Sequence, residues 1–232
     1  MSGDVLNDSN TLNNKRTMAS QLEEHVRRDI INGRLRPGSK MRLKELAEYY
    51  SAGVIPLREA LSRLAMTGFV SVVDQKGFRV EQVSAAELQD ITLTRLHIEC
   101  KALELSILHA DIEWESRLVA ANHRLERYDM QSTGTQLLNP DWEEAHEAFH
   151  SALLANCPSS WLLRFVDTLR DQTLRYRAQA ICSPATQQRN IAQEHRELME
   201  AALARDIPLA VKRLTDHYLK TMAIVLQNKA LT

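Results

Sequence analysis

Helix breakers are scarce in this sequence: seven glycines and six prolines punctuate 232 residues. Glycine supplies most backbone freedom and proline most helix interruptions, so the chain must run largely as long helices. Leu, Ala, Arg and Glu, all good helix formers, dominate it. Apolar residues make up 44% and charged residues 25%, a balance that sustains a buried core and argues against disorder. No apolar run approaches the ~18 residues a membrane span needs. Cys100, Cys157 and Cys182 form no CxxC pair, and an odd number cannot complete a disulfide framework. Reduced thiols in a cytoplasmic protein are the expectation.

Net charge is −1, but it is unevenly spread. Residues 15–80 hold 13 Lys and Arg against 7 Asp and Glu, a net of +6. Residues 81–232 hold 16 against 21, a net of −5. A basic third joined to an acidic remainder suggests an anion-binding module beside one with another task. Residues 1–14 are polar, Asn-rich and lack an apolar stretch, which predicts a disordered leader.

Local signals divide the rest. Thr17 can cap a helix to about Asn32 with Leu22, Val26 and Ile30 as its apolar stripe, and Gly33 stands where it should stop. After the turn Arg36-Pro37-Gly38-Ser39, a short helix is expected over Leu43 to Tyr50. A third, with Pro56 in its first turn, buries Leu57, Leu61, Leu64 and Ala65 and ends at Gly68. Phe69 to Val73 and Phe78 to Val80 are β-prone around the turn Asp74-Gln-Lys-Gly77. Three short helices and a hairpin make a winged helix-turn-helix over 15–80. Beyond Val80 no strand pattern appears. Ser84-Ala-Ala-Glu87 is a capping box for a helix to about His109. Further helices are expected from Ile112 to Met130, Asp141 to Asn156, Ser160 to Ala180, Thr186 to Arg205, and Ile207 to Asn228. Residues 81–232 therefore read as an antiparallel all-helical bundle of about six helices, and the fold class as mainly α.

Five separated blocks carry a resemblance. Gly33-Arg-Leu-Arg-Pro-Gly38, Leu46-Ala47, Pro56-Leu-Arg-Glu-Ala-Leu61-Ser-Arg-Leu64, Gly68-Phe-Val70 and Gly77-Phe-Arg-Val80 stand in the order and spacing of the GntR family of bacterial regulators. The helical remainder resembles the FCD sensing domain of the FadR-type branch. Val54-Ile-Pro-Leu-Arg58 with Trp142-Glu-Glu-Ala-His146 is most similar to CsiR-like repressors. The resemblance implies a repressor that binds double-stranded operator DNA as a homodimer and is released by a small carboxylate, for which the CsiR-like wording suggests a dicarboxylate such as glutarate.

The chemistry of the head is consistent with that. Arg58 lies near the start of the third helix, where an arginine can bond a guanine edge bidentately; a surface pair with Glu45 or Glu59 is the alternative. Lys44, on the second helix, and Lys76 beside Gly77 on the wing are placed for phosphates or the minor groove. The family commonly reads Val-Ser-Arg-Thr-Pro where this chain has Ala52-Gly53-Val54-Ile55-Pro56, so Val54 or Ile55 meets a thymine methyl in place of two polar contacts.

In the second half, His146 and His150 are four apart on one helix and can share a metal. FadR-type domains that bind metal use an Asp, a His four residues on, and two later His. The resemblance puts His150, His195 and His217 on the histidine positions and His146 where the Asp is usual. A set of four imidazoles suits Zn²⁺ or Ni²⁺ better than Mg²⁺ or Ca²⁺. The family also places an arginine at Arg95 pointing into the effector cavity; a Glu99 pair at i+4 is its alternative. Arg175 and Arg177 are further effector candidates, with pairing inside the bundle as their alternative. A rival from another class is a zinc metallopeptidase, since His146-Glu147-Ala-Phe-His150 fits H-E-x-x-H with Glu147 as general base. No strand stands beside that helix to hold a peptide, and Glu147 is expected on a face away from the histidines.

Overall fold

A computed structural model describes residues 17–73, 77–132, 134, 138–181 and 189–227, with the side chains of 177–181 excepted. The leader, Lys76, Cys182, Pro184 and Thr186, and the side chain of Arg177, fall outside the described residues.

The first unit is a winged helix. Helix α1 (Met18–Ile31) begins at Thr17, whose hydroxyl accepts from the Ser20 N–H. Strand β1 (Lys40–Met41), helix α2 (Leu43–Tyr49) and helix α3 (Val54–Met66) follow. Strands β2 (Val70–Val73) and β3 (Gly77–Val80) then form the wing. The sheet is antiparallel in the order β1-β3-β2, with Met41 opposite Phe78 and Val70 opposite Val80. Leu22, Val26, Leu57, Leu61, Phe69 and Val80 are among the residues of its core.

Three details differ from the sequence reading. Strand β1 was not expected, because two residues after a Pro-Gly turn carry no periodicity and the strand exists only through its pairing with distant β3. Helix α3 starts two residues before Pro56, so Val54 and Ile55 lie inside its first turn. Its core face includes Ala60 rather than Ala65, which is only partly buried. Gly68 ends α3 with φ +76°, and the Phe69 N–H bonds back to Leu64 C=O, the left-handed stop that glycine adopts without a Cβ clash.

The second unit is an antiparallel bundle. It comprises α4 (Ala85–Leu108), α5 (Ile112–Leu125), α6 (Pro140–Leu154), α7 (Ser160–Ile181), α8 (Ile191–Leu203) and α9 (Ile207–Leu226). Helix α4 is central, packed against α6, α7 and α9. Trp114, Phe149, Leu103 and Leu198 are fully buried in the main core. A smaller apolar cluster, holding Leu88, Ile91, Tyr176, Ile224 and Val225, gathers where α4, α7 and α9 meet nearest the head.

Boundaries moved where a competing cap won. Helix α5 stops at Leu125 instead of Met130, because the Arg127 and Tyr128 N–H groups turn back to carbonyls three residues earlier. Asn139, not Asp141, caps α6, with Pro140 just inside it. Asn190 caps α8 at Ile191, later than the expected start at Thr186. The capping box at Ser84 is half made: Ser84 Oγ accepts from the Glu87 N–H, while the Ser84 N–H goes to the Tyr176 hydroxyl and the Glu87 carboxylate to Arg175 and Tyr176.

Candidate metal centre, cavity and nucleic-acid interface

Three helices bring four imidazoles together only because their apolar faces point at one core. His146 and His150 lie one turn apart on α6, His195 is on α8 and His217 on α9. All are at least 94% buried. One ligand-capable nitrogen from each falls within 4.8 Å of the others, and His146 Nε2 and His150 Nε2 are 3.2 Å apart. Zn–N bonds of ~2.0–2.1 Å place neighbouring nitrogens ~3.3 Å apart in a tetrahedron, so the donor set fits a borderline divalent cation. Trp142 stacks on His146 at 4.6 Å between centroids and walls the cluster on one side.

Carboxylates behind the rings hold them in place. His217 Nδ1 is 2.9 Å from Glu194 Oε2, which selects the tautomer whose Nε2 lone pair remains for a ligand role. Glu194 is itself clamped by Arg189, whose Nε lies 2.8 Å from Oε1. Burial would raise the Glu194 carboxyl, but Arg189 and His217 outweigh it and hold it well below the usual carboxylate range. Tyr218 lies between His150 and Glu99: its hydroxyl donates to Glu99 Oε2 at 2.7 Å and stands 3.4 Å from His150 Nδ1. Glu99 is fully buried and also accepts from Arg95 Nε at 2.7 Å and Arg170 Nη2 at 3.1 Å. Burial favours its acid form, yet the two guanidiniums keep it ionised, below its ordinary range. Burial, then the neighbouring His195 and His217 and the arginines, pushes His150 well down; burial likewise lowers His217 against the opposing pull of Glu194. Neutral rings with free lone pairs are what a metal needs.

The cluster forms one wall of a cavity that opens to solvent. Arg95, Arg189, His146 and His217 line it on the cluster's side. Arg95 makes the Glu99 pair of the alternative reading and also borders the cavity. Its Nε pairs with Glu99 while Nη1 donates to Thr173 Oγ1 at 3.0 Å, the guanidinium lies 4.1 Å above the Tyr218 ring, and the side chain borders the cavity. Arg175 is elsewhere. It is absent from the cavity wall, and its guanidinium donates to the Gln82 C=O, Glu87 and Gln172, so the bundle-pairing alternative is the one observed. Glu147 is exposed as expected, and it borders a second, smaller opening lined also by His146 and His150.

Sequence reading missed the residues that support the cluster. Glu99 was readable only as the i+4 partner of Arg95; its bonds to Arg170 and Tyr218, and the roles of Glu194 and Arg189, depend on partners as many as 119 positions away, which no local pattern announces. A missed strip on α7 also joins the bundle to the head. Asp171 pairs with Arg27 of α1 at 2.6 Å, Gln172 donates to the Thr67 C=O at the end of α3, and Arg175 holds the Gln82 C=O between the units.

On the head, Arg58 is exposed at the start of α3. The two carboxylates that could have taken it are occupied, Glu45 by Arg42 at 2.7 Å and Glu59 by Arg63 at 2.6 Å. Arg63, by contrast, ties α3 to Ser20 and Glu23 of α1. Lys44 and Val54 flank a shallow groove at the turn between α2 and α3, and Ile55 beside them is 83% exposed. Gly77 opens β3 with φ +88°, a conformation that favours glycine at the base of the wing.

Comparison with known proteins matches these parts in order. The profile described as "Bacterial regulatory proteins, gntR family" matches residues 18–80, and the FCD domain profile matches residues 90–220. The chain is 36% identical over 217 residues to an uncharacterized HTH-type transcriptional regulator, BphR, of Paraburkholderia xenovorans (strain LB400), covering 92% of this chain and 87% of that one. It is 35% identical over 208 residues to the HTH-type transcriptional repressor GlaR of Escherichia coli (strain K12), covering 88% and 94%. The solved structure of E. coli McbR/YncC superposes with a TM-score of 0.71 at 23% identity, covering 91% of this chain and 98% of that one, a likeness of fold.

Proposed function

This chain belongs to the gntR family of bacterial regulatory proteins and carries an FCD domain, and on that premise we propose that it is a repressor released from its operator by a small carboxylate bound beside the histidine cluster. It is a DNA-binding transcriptional regulator and not an enzyme, since both matched families and the named relatives are regulators. That retires the metallopeptidase reading of His146-Glu147-x-x-His150. None of the helices described is long and apolar enough to cross a membrane.

Residues 15–80 act as the DNA-binding head and 81–232 as the sensing and dimerising half. Arg58 reads a base edge, Val54 and Ile55 offer apolar contacts, and Lys44, Lys76 and Gly77 meet the backbone or the minor groove. His146, His150, His195 and His217 hold a divalent cation, Zn²⁺ or Ni²⁺. Once bound, the cation supplies a Lewis-acid centre that can take an effector oxygen. Arg95 contributes charge from the same wall. A short dicarboxylate such as glutarate, the class suggested by the resemblance, is one candidate. Two copies related by a two-fold axis meet the halves of an inverted repeat. Occupancy of the cavity favours an arrangement of the heads that no longer fits both halves.

The single observation that carries this reading is the buried four-imidazole cluster opening onto an arginine-lined cavity in the domain that follows a winged helix. A gel-shift titration tests it, with zinc-loaded protein, a duplex from the chain's own promoter region and a panel of small carboxylates. The expected result is a retarded complex that at least one acid dissolves. A complex indifferent to every acid sinks the sensor role, and no complex at low salt sinks the regulator.

A further inference from the structure

Three helices around the cavity change character in the same direction. On α4, read from C- to N-terminus, Arg95 gives way to Thr92 and then Leu88. On α9, His217 gives way to Thr221 and then Ile224 and Val225. On α7, Arg170 sits on Glu99 at the charged end, and Thr173 and Tyr176 follow along the wall. The registers coincide in space. Arg95 lies over the Tyr218 ring and Glu99 takes the Tyr218 hydroxyl, while Leu88, Tyr176, Ile224 and Val225 share one apolar cluster. Each step is three or four residues, so the wall passes from charged to apolar over ~10 Å at ~1.5 Å per residue.

The middle rung is committed to the charged end. Thr173 Oγ1 accepts from Arg95, and Thr221 Oγ1 accepts from Arg189 at 2.8 Å. All charged or imidazole groups among the described lining residues, Arg95, Arg189, His146 and His217, thus gather at one pole. Arg175, on the same helix as Thr173 and Tyr176, is bound to Glu87 and is not among the residues that line the cavity. Among the described lining residues, an anion at the Leu88–Ile224 pole would lose its water against aliphatic carbon with no cation or N–H to replace it.

We propose that the cavity selects a monocarboxylate with an apolar body, its carboxylate at the His217 pole and its body against Leu88, Ile224 and Val225, and that it discriminates against dicarboxylates. This rests on the sensing role proposed above and, within the small carboxylates, sets the dicarboxylate candidate aside. A body seated there also touches Tyr176, whose hydroxyl holds the Ser84 N–H at the start of α4, so the apolar pole is the one that adjoins the connection to the head.

Length-matched acids isolate the claim. Isothermal titration of the zinc-loaded full chain compares hexanoate with adipate and pentanoate with glutarate, pairs that differ only in a terminal methyl or carboxylate. Hexan-1-ol serves as the uncharged control. The expected result is at least tenfold tighter binding of each monocarboxylate and no measurable binding of the alcohol. Met222→Lys, which sets a cation on the partly exposed edge of the apolar pole, is expected to shift the hexanoate-to-adipate ratio toward adipate by tenfold or more. If that variant does not fold, the wild-type ratios decide alone. Dicarboxylates binding as tightly as their partners, or tighter, overturn the ligand class and leave the sensor intact. Silence from all four acids, with zinc and operator still bound, overturns this inference, and the wider panel of acids in the gel shift decides the sensing role separately.

Discussion

Arg58 is the side chain of the head with the most to lose on truncation, because its neighbours leave it nothing to do in the free protein. Glu45 and Glu59 are both paired with other arginines, so on the proposed reading the guanidinium would meet DNA without first breaking an ion pair. Arg58→Ala should weaken specific operator binding by about 1–3 kcal/mol, the worth of a bidentate base contact, while binding to unrelated duplex falls far less. Equal losses on both duplexes, measured by gel shift at fixed salt, would reassign Arg58 to the phosphates. At the histidine cluster the informative residue is not one of the four imidazoles. Glu194 orients His217 and is held ionised by Arg189. Glu194→Gln keeps the shape and removes the charge, and should lower metal affinity roughly 10–100-fold, as loss of a ligand's outer partner does. Competition against a chromogenic chelator reads this directly, and an unchanged constant would mean His217 needs no such support.

At the level of elements, the half-made capping box of α4 shows how tertiary contacts redirect a local motif. Ser84 keeps its cap bond to the Glu87 N–H, while the Glu87 carboxylate is drawn to Arg175, which is 4% exposed. The two halves should therefore differ in cost. Ser84→Ala removes a cap worth ~1 kcal/mol. Glu87→Ala strips a buried guanidinium of its carboxylate and should cost more, about 2–3 kcal/mol given that Glu87 itself is part exposed. Urea unfolding followed by circular dichroism gives the order, and a more damaging Ser84→Ala would show that Arg175 finds other partners. The same contrast explains what the sequence could disclose. Thr17, Ser84 and Asp111 announce helix starts because a cap is a bond to a residue three positions on. The four histidines were readable because an i, i+4 pair and the family's spacing fix them. Strand β1 and the Glu99–Arg170–Tyr218 network were not readable, since each exists only through partners far along the chain. Arg175 misled for the same reason: an arginine beside a cavity helix looks like a ligand contact until the helix's rotation is known.

For the molecule as a whole, the question is how an effector in the bundle would act on the DNA-binding head, and α7 is an element that touches both. Within one stretch, Arg170 and Thr173 face Glu99 and Arg95, while Asp171, Gln172 and Arg175 hold Arg27, the Thr67 C=O and the Gln82 C=O. A Cβ built on Gly68 would stand 3.0 Å from the Gln172 amide, so the contact is close as well as polar. The Arg27–Asp171 pair is only part buried, and its loss alone should cost little stability. Its place matters more than its strength. Allosteric coupling of 1–3 kcal/mol corresponds to a 5–150-fold change in operator affinity on effector binding, and these head contacts are the described path by which α7 can transmit it. The double variant Asp171→Ala, Gln172→Ala leaves the cavity wall and the recognition surface intact. It should therefore bind effector and operator with constants close to the parent's when each is measured alone, while the ratio of operator affinities with and without effector collapses toward one. Paired gel-shift series at zero and saturating effector measure that ratio. A parental ratio in the double variant would place the coupling in α4 and its connection to the wing, independent of α7.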